Sequence, residues 1–253
     1  MPSPASASAH PLTLDMYCLN LTLPTPAENL ALDEALLDAA EAGEIDGEVL
    51  RLWEPTAPCV VVGSSSRVTD EVRLEHCRAQ GIPVLRRCSG GAAIVTAPGC
   101  LMYALVLSLA GRPYARAVDQ AHRLVLRQLA QALRPFAHVV CQGTSDLACE
   151  DRKISGNSLR IRRSHLLYHG TLLYALDCSL LGACLQMPPR MPAYRRGRDH
   201  TEFVRNLAID RDGLVQALVQ AWNASRELPE WPRARTTKLV EEKYSQAGWN
   251  FRF

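Results

Sequence analysis

The chain has 253 residues, 47% hydrophobic and 21% charged, enough to bury a sizeable core as one large domain or two small ones, which excludes a disordered chain and a miniprotein scaffold. Lys plus Arg number 28 against 26 Asp plus Glu, a formal charge of +2, so no global basic field favours nucleic acid and any anionic ligand must be held locally. Only Lys153, Lys238 and Lys243 are lysines, so a lysine inside a polar cluster stands out.

Residues 1–11, MPSPASASAHP, lack the cationic start and apolar run of a signal peptide and are expected to be a disordered leader to one domain over 12–253. A strand is expected over 12–21. TPAENLALDEALLDAAEAG then reads as a helix, with Thr25 at the N-cap, Pro26 at the first helical position, Glu28 closing a capping box and Gly43 as the stop. VLRLWE and PCVVVG read as buried strands, 70–80 as a helix, and IPVLRR as a strand running into the glycine pair of CSGGAAIV. Residues 104–109 read as a strand and 116–133 as an amphipathic helix with Ala121, Leu124, Val125, Leu129 and Leu133 on one face. HVVCQ, KISGNSLR and LLYHGTLLYAL are three further strands. The breakers Pro188, Pro189, Pro192 and Gly197 make 187–200 irregular, a candidate mobile loop rich in arginine that either serves a site or is a solvated surface. The rest is mainly helical, in AIDRDGLVQALVQAWNAS and TTKLVEEKYSQ. The fold class is α+β, with a mixed sheet flanked by helices. No apolar stretch is long enough to span a bilayer.

Two segments carry candidate chemistry. In Arg86-Arg87-Cys88-Ser89-Gly90-Gly91-Ala92-Ala93, two glycines after a strand let a ligand approach backbone N–H groups, and paired arginines suit a phosphate or carboxylate; a plain turn is the alternative. In SDLACEDRKISGNSLR, Lys153 beside Gly156 is placed to meet a ligand lying over the glycine, or it is an exposed hairpin lysine.

In this order the segments resemble the lipoate–protein ligase family. That family's motifs, roughly RRxSGGGAV, NDLxxxGRKxSGxAxR and HHGTLL, are answered by RRCSGGAAI, SDLACEDRKISGNSLR and YHGTLL, and NLALDEALL, LRLWEP and KYSQAGWNF extend the match over most of 12–253. The resemblance implies a fold like the catalytic domains of biotin ligases and class II aminoacyl-tRNA synthetases. It also implies a two-step reaction in which ATP, with Mg2+, activates lipoate or octanoate as an acyl-adenylate and a lysine of a carrier domain then takes the acyl group. The implied carriers are the lipoyl domains of 2-oxoacid dehydrogenases or the glycine cleavage H protein, in the cytoplasm, with neither nucleic acid nor membrane as partner.

Carried over by position, Lys153 is the implied catalytic residue. Arg87, Ser89, Gly90, Gly91, Ala92, Ala93, Ile94 and Val95 would wrap the adenylate, Gly156 would lie beneath it, and Ser145 and Asp146 would stand near the nucleotide. His169, Gly170 and Thr171 would line the acyl pocket, with Val61, Leu105 and Leu167 as further candidate walls. The arginine-rich loop from Pro189 to Thr201 falls where the family has its adenylate-binding loop. Departures are Ala92 for the motif's third glycine, Ser145 for its Asn, Tyr168 for the first His of HHG, and Thr96-Ala97-Pro98-Gly99-Cys100 where HDxGN is common. The chain also stops at Phe253, where larger ligases continue into an accessory domain, so a separate accessory subunit is an expectation.

The rival readings are a non-catalytic binder and an ATP-independent octanoyl or lipoyl transferase, which needs an activated thiolate. Nine cysteines without a CxxC pair indicate neither a disulfide framework nor a zinc site and read as mostly buried, reduced thiols. Cys141, twelve residues before Lys153, is the nearest thiolate candidate, although a buried strand thiol is the expectation for it; Cys88 and Cys100 are expected to pack.

Overall fold

The computed structural model describes residues 15–253, so the expected leader and the first part of the first expected strand lie outside the described residues. From that point β1 (Met16–Asn20) leads into α1 (Pro26–Glu41), where the expected capping box forms: Thr25 Oγ1 accepts from the N–H of Glu28, whose carboxylate accepts from the N–H of Thr25. The chain continues through β2 (Glu48–Trp53), β3 (Cys59–Val62), α2 (Val68–Glu71), α3 (Leu74–Ala79), β4 (Val84–Arg86), β5 (Ile94–Thr96) and β6 (Cys100–Ser108). Next come α4 (Val118–Leu133), β7 (Val139–Gln142), β8 (Asp146–Cys149), β9 (Arg152–Ile161) and β10 (His165–Leu173). Helices α5 (Ser179–Cys184), α6 (His200–Phe203) and α7 (Arg211–Ala221), the short strand β11 (Arg226–Glu227), α8 (Arg233–Leu239), a π turn over Val240–Tyr244 and α9 (Ala247–Asn250) complete it.

Eight strands form one mixed sheet in the order β11-β1-β2-β6-β10-β9-β8-β7, parallel between β1 and its two neighbours and antiparallel elsewhere. Its two faces are covered differently. On one, Ala121, Val125, Leu129 and Leu133 of α4 and Leu214 and Leu218 of α7 pack against Leu105, Leu107 and Tyr168. On the other, Leu32, Leu36 and Leu37 of α1 pack against Val49, Ala104 and Leu167. A smaller sheet, β4-β3-β5, shares a core with α2, α3, α5 and α6. The two sheets thus stand beside each other with the glycine loop between β4 and β5 at their junction.

The structure departs from expectation in three respects. The helix read over 70–80 is two short helices, because Val72, which closes the first with its N–H on the carbonyl of Val68, is extended and pairs with Leu185, while the N–H of Arg73 donates to the carbonyl of Cys184 and so leaves the helical ladder. Strands β5 and β8, of three and four residues, are too brief for periodicity to separate from turns. Leu105 and Leu167, expected as groove walls, are instead fully buried on opposite faces of the large sheet.

Candidate active site

The β8–β9 hairpin builds the core of the site. Its turn residues Glu150 and Asp151 both hold positive φ, 50° and 58°, and beyond it the register slips by one so that Ala148 faces Lys153 but Leu147 faces Ser155. The extra residue, Ile154, is buried in the core, and a bulge of this kind re-aims its neighbours. The Lys153 stem therefore runs over Gly156, where a Cβ would stand 3.0 Å from both Cε and Nζ, and its ammonium reaches Asp146 Oδ1 at 2.7 Å. Lys153 stands just after the hairpin turn, but its side chain is only 27% exposed.

The glycine loop turns its carbonyls inward. Gly90 O accepts from Ser158 Oγ at 2.8 Å and from Arg87, Gly91 O accepts from Ser66 Oγ at 3.1 Å, and Ala92 O accepts from Arg87 at 3.0 Å. Gly91 takes φ 87°, and Gly63 lies so close that a Cβ there would stand 1.9 Å from Gly91 O. Among the described residues no acceptor meets the N–H groups of Gly90, Gly91 and Ala92, which makes a nest suited to an anion. The N–H of Ala93 donates to the carboxylate of Glu71. Ala92 does not have positive φ, so replacing the motif's third glycine carries no backbone strain here.

The paired arginines are held by the loop itself. Arg87 gives its donors to Ser89 Oγ and to the carbonyls of Val61, Gly90 and Ala92, and burial pushes its guanidinium down to about 10. Arg86 is fully buried and spends its donors on carbonyls as well. Both shape the loop, and Arg87 also borders the groove described below.

His169 links the glycine loop to α1. Its Nε2 lies 2.5 Å from Ser89 Oγ, and its Nδ1 lies 3.3 Å from Asp33 Oδ2. Asp33 in turn pairs with the fully buried Arg51. Burial raises the Asp33 carboxyl, but Arg51 and His169 outweigh it and hold the group below its ordinary value. Gly170 is required for contact: a Cβ there would stand 1.9 Å from Asn157 Oδ1. Thr171 Oγ1 accepts from the N–H of Gly156 at 3.3 Å. Asp33, Arg51, Glu71 and Tyr194, the last donating to Asp146 Oδ2 at 2.8 Å, were not singled out from sequence; Asp33 and Arg51 lay in matched strings, but nothing there signalled their pairing.

Two compartments meet at Lys153. One is a largely apolar cavity of about 140 Å³, walled by Ile94, Val95, Leu173, Leu176, Leu181 and Phe203. The other is an open groove reached by Leu30, Asp33, Val61, Met102 and His169, with Asp70, Glu71, Ser145 and Asp146 at its polar parts. Lys153, Gly156, Ala92, Ala93 and Ile94 border both, Val95 and Thr171 border the cavity, and Arg87, Gly90, Gly91, His169 and Gly170 border the groove. Segment 187–200 overhangs the two with Pro188, Arg190 and Pro192. Its arginines divide: Arg195 is buried against the Phe203 ring at 4.8 Å, while the Arg196 side chain is 72% exposed.

No cysteine borders either compartment among the described residues. All nine are free thiols; burial pushes Cys88 up to about 12 and Cys100 higher still, as packing residues should be. Cys141 is exposed, which corrects the expectation of a buried thiol, because it lies on the outermost strand β7; partial burial still raises its pKa. It has neither the position nor the depressed pKa of an activated thiolate. No helix among the described residues is long and apolar enough to cross a membrane.

The family model for the lipoyl protein ligase A/B catalytic domain matches residues 25–221. A protein of Aeropyrum pernix that carries the name lipoate-protein ligase A is 28% identical over 91% of this chain and 90% of its own. The octanoyltransferase LipM of Geobacillus kaustophilus is 25% identical over 90% and 94%. In the solved structure of a bipartite lipoate protein ligase and its E2 lipoyl domain from Thermoplasma acidophilum, one chain superposes with a TM-score of 0.80 at 22% identity, covering 94% of this chain and 96% of that one.

Proposed function

The chain belongs to the family of lipoyl protein ligase A/B catalytic domains, and on that premise we propose that it is a lipoate–protein ligase, which activates lipoate or octanoate with ATP and passes the acyl group to a lysine of a carrier protein. The observation that carries this reading is the meeting of an apolar cavity and a long groove at Lys153 and the glycine nest. An acyl-adenylate has that shape: a purine and an apolar chain on either side of one anionic junction.

In the first step a carboxylate oxygen of the acid attacks the α-phosphorus of ATP, and the bond to pyrophosphate breaks. The N–H groups of Gly90 to Ala92 and the ammonium of Lys153 stabilise the negative charge as it moves, the fixed-donor form of catalysis that needs no nucleophilic side chain. Lys153 has three N–H donors, so it can keep Asp146 while contacting both carboxyl and phosphoryl oxygens. In the second step the carrier's lysine amine attacks the carbonyl carbon, the carbon–oxygen bond to phosphate breaks and AMP leaves.

Magnesium entering with ATP would supply charge neutralisation at the phosphates. Asp146, Asp70 and Glu71 line the groove, and among the described residues no group of three ligands forms that would hold an ion alone, which suits a metal carried largely by substrate phosphates. A lipoyl domain or the glycine cleavage H protein would present the acceptor lysine, with a separate subunit assisting adenylation, and the free thiols fit a cytoplasmic setting.

Likeness to LipM keeps the transferase as the second reading, but that chemistry needs a thiolate at the groove and the groove has no cysteine among the described residues. The test is lipoate-dependent exchange of pyrophosphate into ATP. Lys153→Ala is expected to lower exchange by about 10²-fold or more, the scale of losing a transition-state donor; full exchange in that variant would overturn the reading. Octanoyl transfer between carriers without ATP, abolished by Cys141→Ala, would establish the transferase instead.

A further inference from the structure

Both oxygens of Asp146 are occupied, one from each side of the site. Oδ1 accepts from Lys153 Nζ at 2.7 Å and Oδ2 accepts from the Tyr194 hydroxyl at 2.8 Å. Lys153 belongs to the sheet, whereas Tyr194 belongs to the segment 187–200 that overhangs both compartments.

That segment is fastened at this point by more than the phenol. The Tyr194 ring lies 5.0 Å from the buried ring of Phe203, on which Arg195 and Arg198 also stack. Arg198 donates to the carbonyls of Asp151 at 2.9 Å and Tyr194 at 2.8 Å, tying the segment to the hairpin turn that precedes Lys153. Pro192 and Tyr194 close over Gly143, where a Cβ would stand 3.2 Å and 3.6 Å from them. Burial and the neighbouring carboxylate raise the phenol's pKa, so it remains a donor at neutral pH.

We propose that Tyr194 is a positioning residue for adenylation, whose hydroxyl holds Asp146 so that Lys153 is aimed at the junction of cavity and groove only when segment 187–200 is docked. Asp146 is the first residue of its strand, next to a turn, and a carboxylate held from one side there can rotate and carry a long, flexible lysine with it. Held from both sides it fixes the ammonium. A ligand as long as an acyl-adenylate has to pass beneath Pro188, Arg190 and Pro192, and redocking of the segment afterwards restores the phenol's hydrogen bond and with it the lysine's aim. The inference rests on Lys153 being the charge-stabilising group.

Tyr194→Phe keeps the ring on Phe203 and removes only the hydroxyl. In pyrophosphate exchange this variant is expected to lose about tenfold in kcat, the scale of one hydrogen bond to a charged group, with KM for lipoate held within about twofold because substrate binding is untouched. Trypsin supplies a readout independent of activity. Cleavage after Arg190 and Arg196, both exposed, is expected to be about tenfold faster in the variant at an unchanged melting temperature. A variant with wild-type kcat, or with the wild-type cleavage rate, overturns the proposal. If the unaltered chain exchanges no pyrophosphate with lipoate or octanoate, the ligase reading falls, and the cleavage comparison still decides whether Tyr194 holds the segment.

Discussion

A buried ion pair beneath the glycine loop shows what single residues contribute. Arg51 is fully buried, and its guanidinium meets Asp33, the carbonyls of Asn29 and Leu21, and Asn29 Oδ1. Asp33 also holds His169 Nδ1, leaving Nε2 for Ser89, so a charge on α1 fixes a hydroxyl in the glycine loop. Removing one partner of such a pair strands the other, so Asp33→Asn is expected to cost about 3–5 kcal/mol, roughly 10 °C in melting temperature for a chain of this size. The pH dependence follows from the direction of the shift. Because Asp33 is held below its ordinary value, its contribution is complete above the unfolded-state value of about 4 and is lost as pH falls through the folded value. The Asn variant should therefore lose part of the acid limb of stability against pH, as read by thermal melts from neutral pH downward. Asp33 and Arg51 were visible in sequence only as letters of two matched strings, since a pairing across 18 residues leaves no local trace.

Elements set the lysine's reach. The strand carrying Lys153 and Gly156 was legible from alternation and from the motif, whereas the slip in register between β8 and β9 was not, because a bulge depends on which residues of the partner strand face it. That slip, with a glycine three positions on, lets the stem lie flat across the strand. Gly156→Ala would place a methyl 3.0 Å from Cε and Nζ, and since the obstructed atoms end a flexible side chain the fold absorbs the change by moving the lysine. Exchange activity should fall by about tenfold or more, on the scale of displaced catalytic geometry. The melting temperature should move by no more than about 2 °C, because no core atom is lost. An equal loss in both measurements would mean that Gly156 serves the sheet and not the lysine. The same reasoning accounts for α2 and α3, whose joint composition read as one helix until a tertiary pairing at Val72 and Leu185 divided it.

Across the whole molecule, the end of the chain braces the site's front edge. The fold class and the order of most elements were legible because capping, periodicity and motif spacing are local signals. What KYSQAGWNF does was not, since its partners lie more than 160 residues earlier. Arg86, read from sequence as half of an anion-binding pair, donates instead to the carbonyls of Trp249 at 3.0 Å, Asn250 at 3.1 Å, Gly63 at 2.6 Å and Ser66 at 2.9 Å. Asn250 Oδ1 accepts from the N–H of Arg86, and the Trp249 indole donates to its carbonyl. One side chain thus joins α9, the loop after β3 and the strand feeding the glycine nest, and Ser66 from that loop holds Gly91. Arg86→Leu leaves these carbonyls without their donor, at about 1–3 kcal/mol for each that stays buried. Several acting together should lower the melting temperature by roughly 10 °C or more. The signature separates the two neighbouring arginine roles that the sequence left open. A ligand-contacting Arg86 would lose exchange activity at unchanged stability, as Lys153→Ala should, whereas a brace loses stability first and recovers exchange when the assay is run well below the variant's melting point.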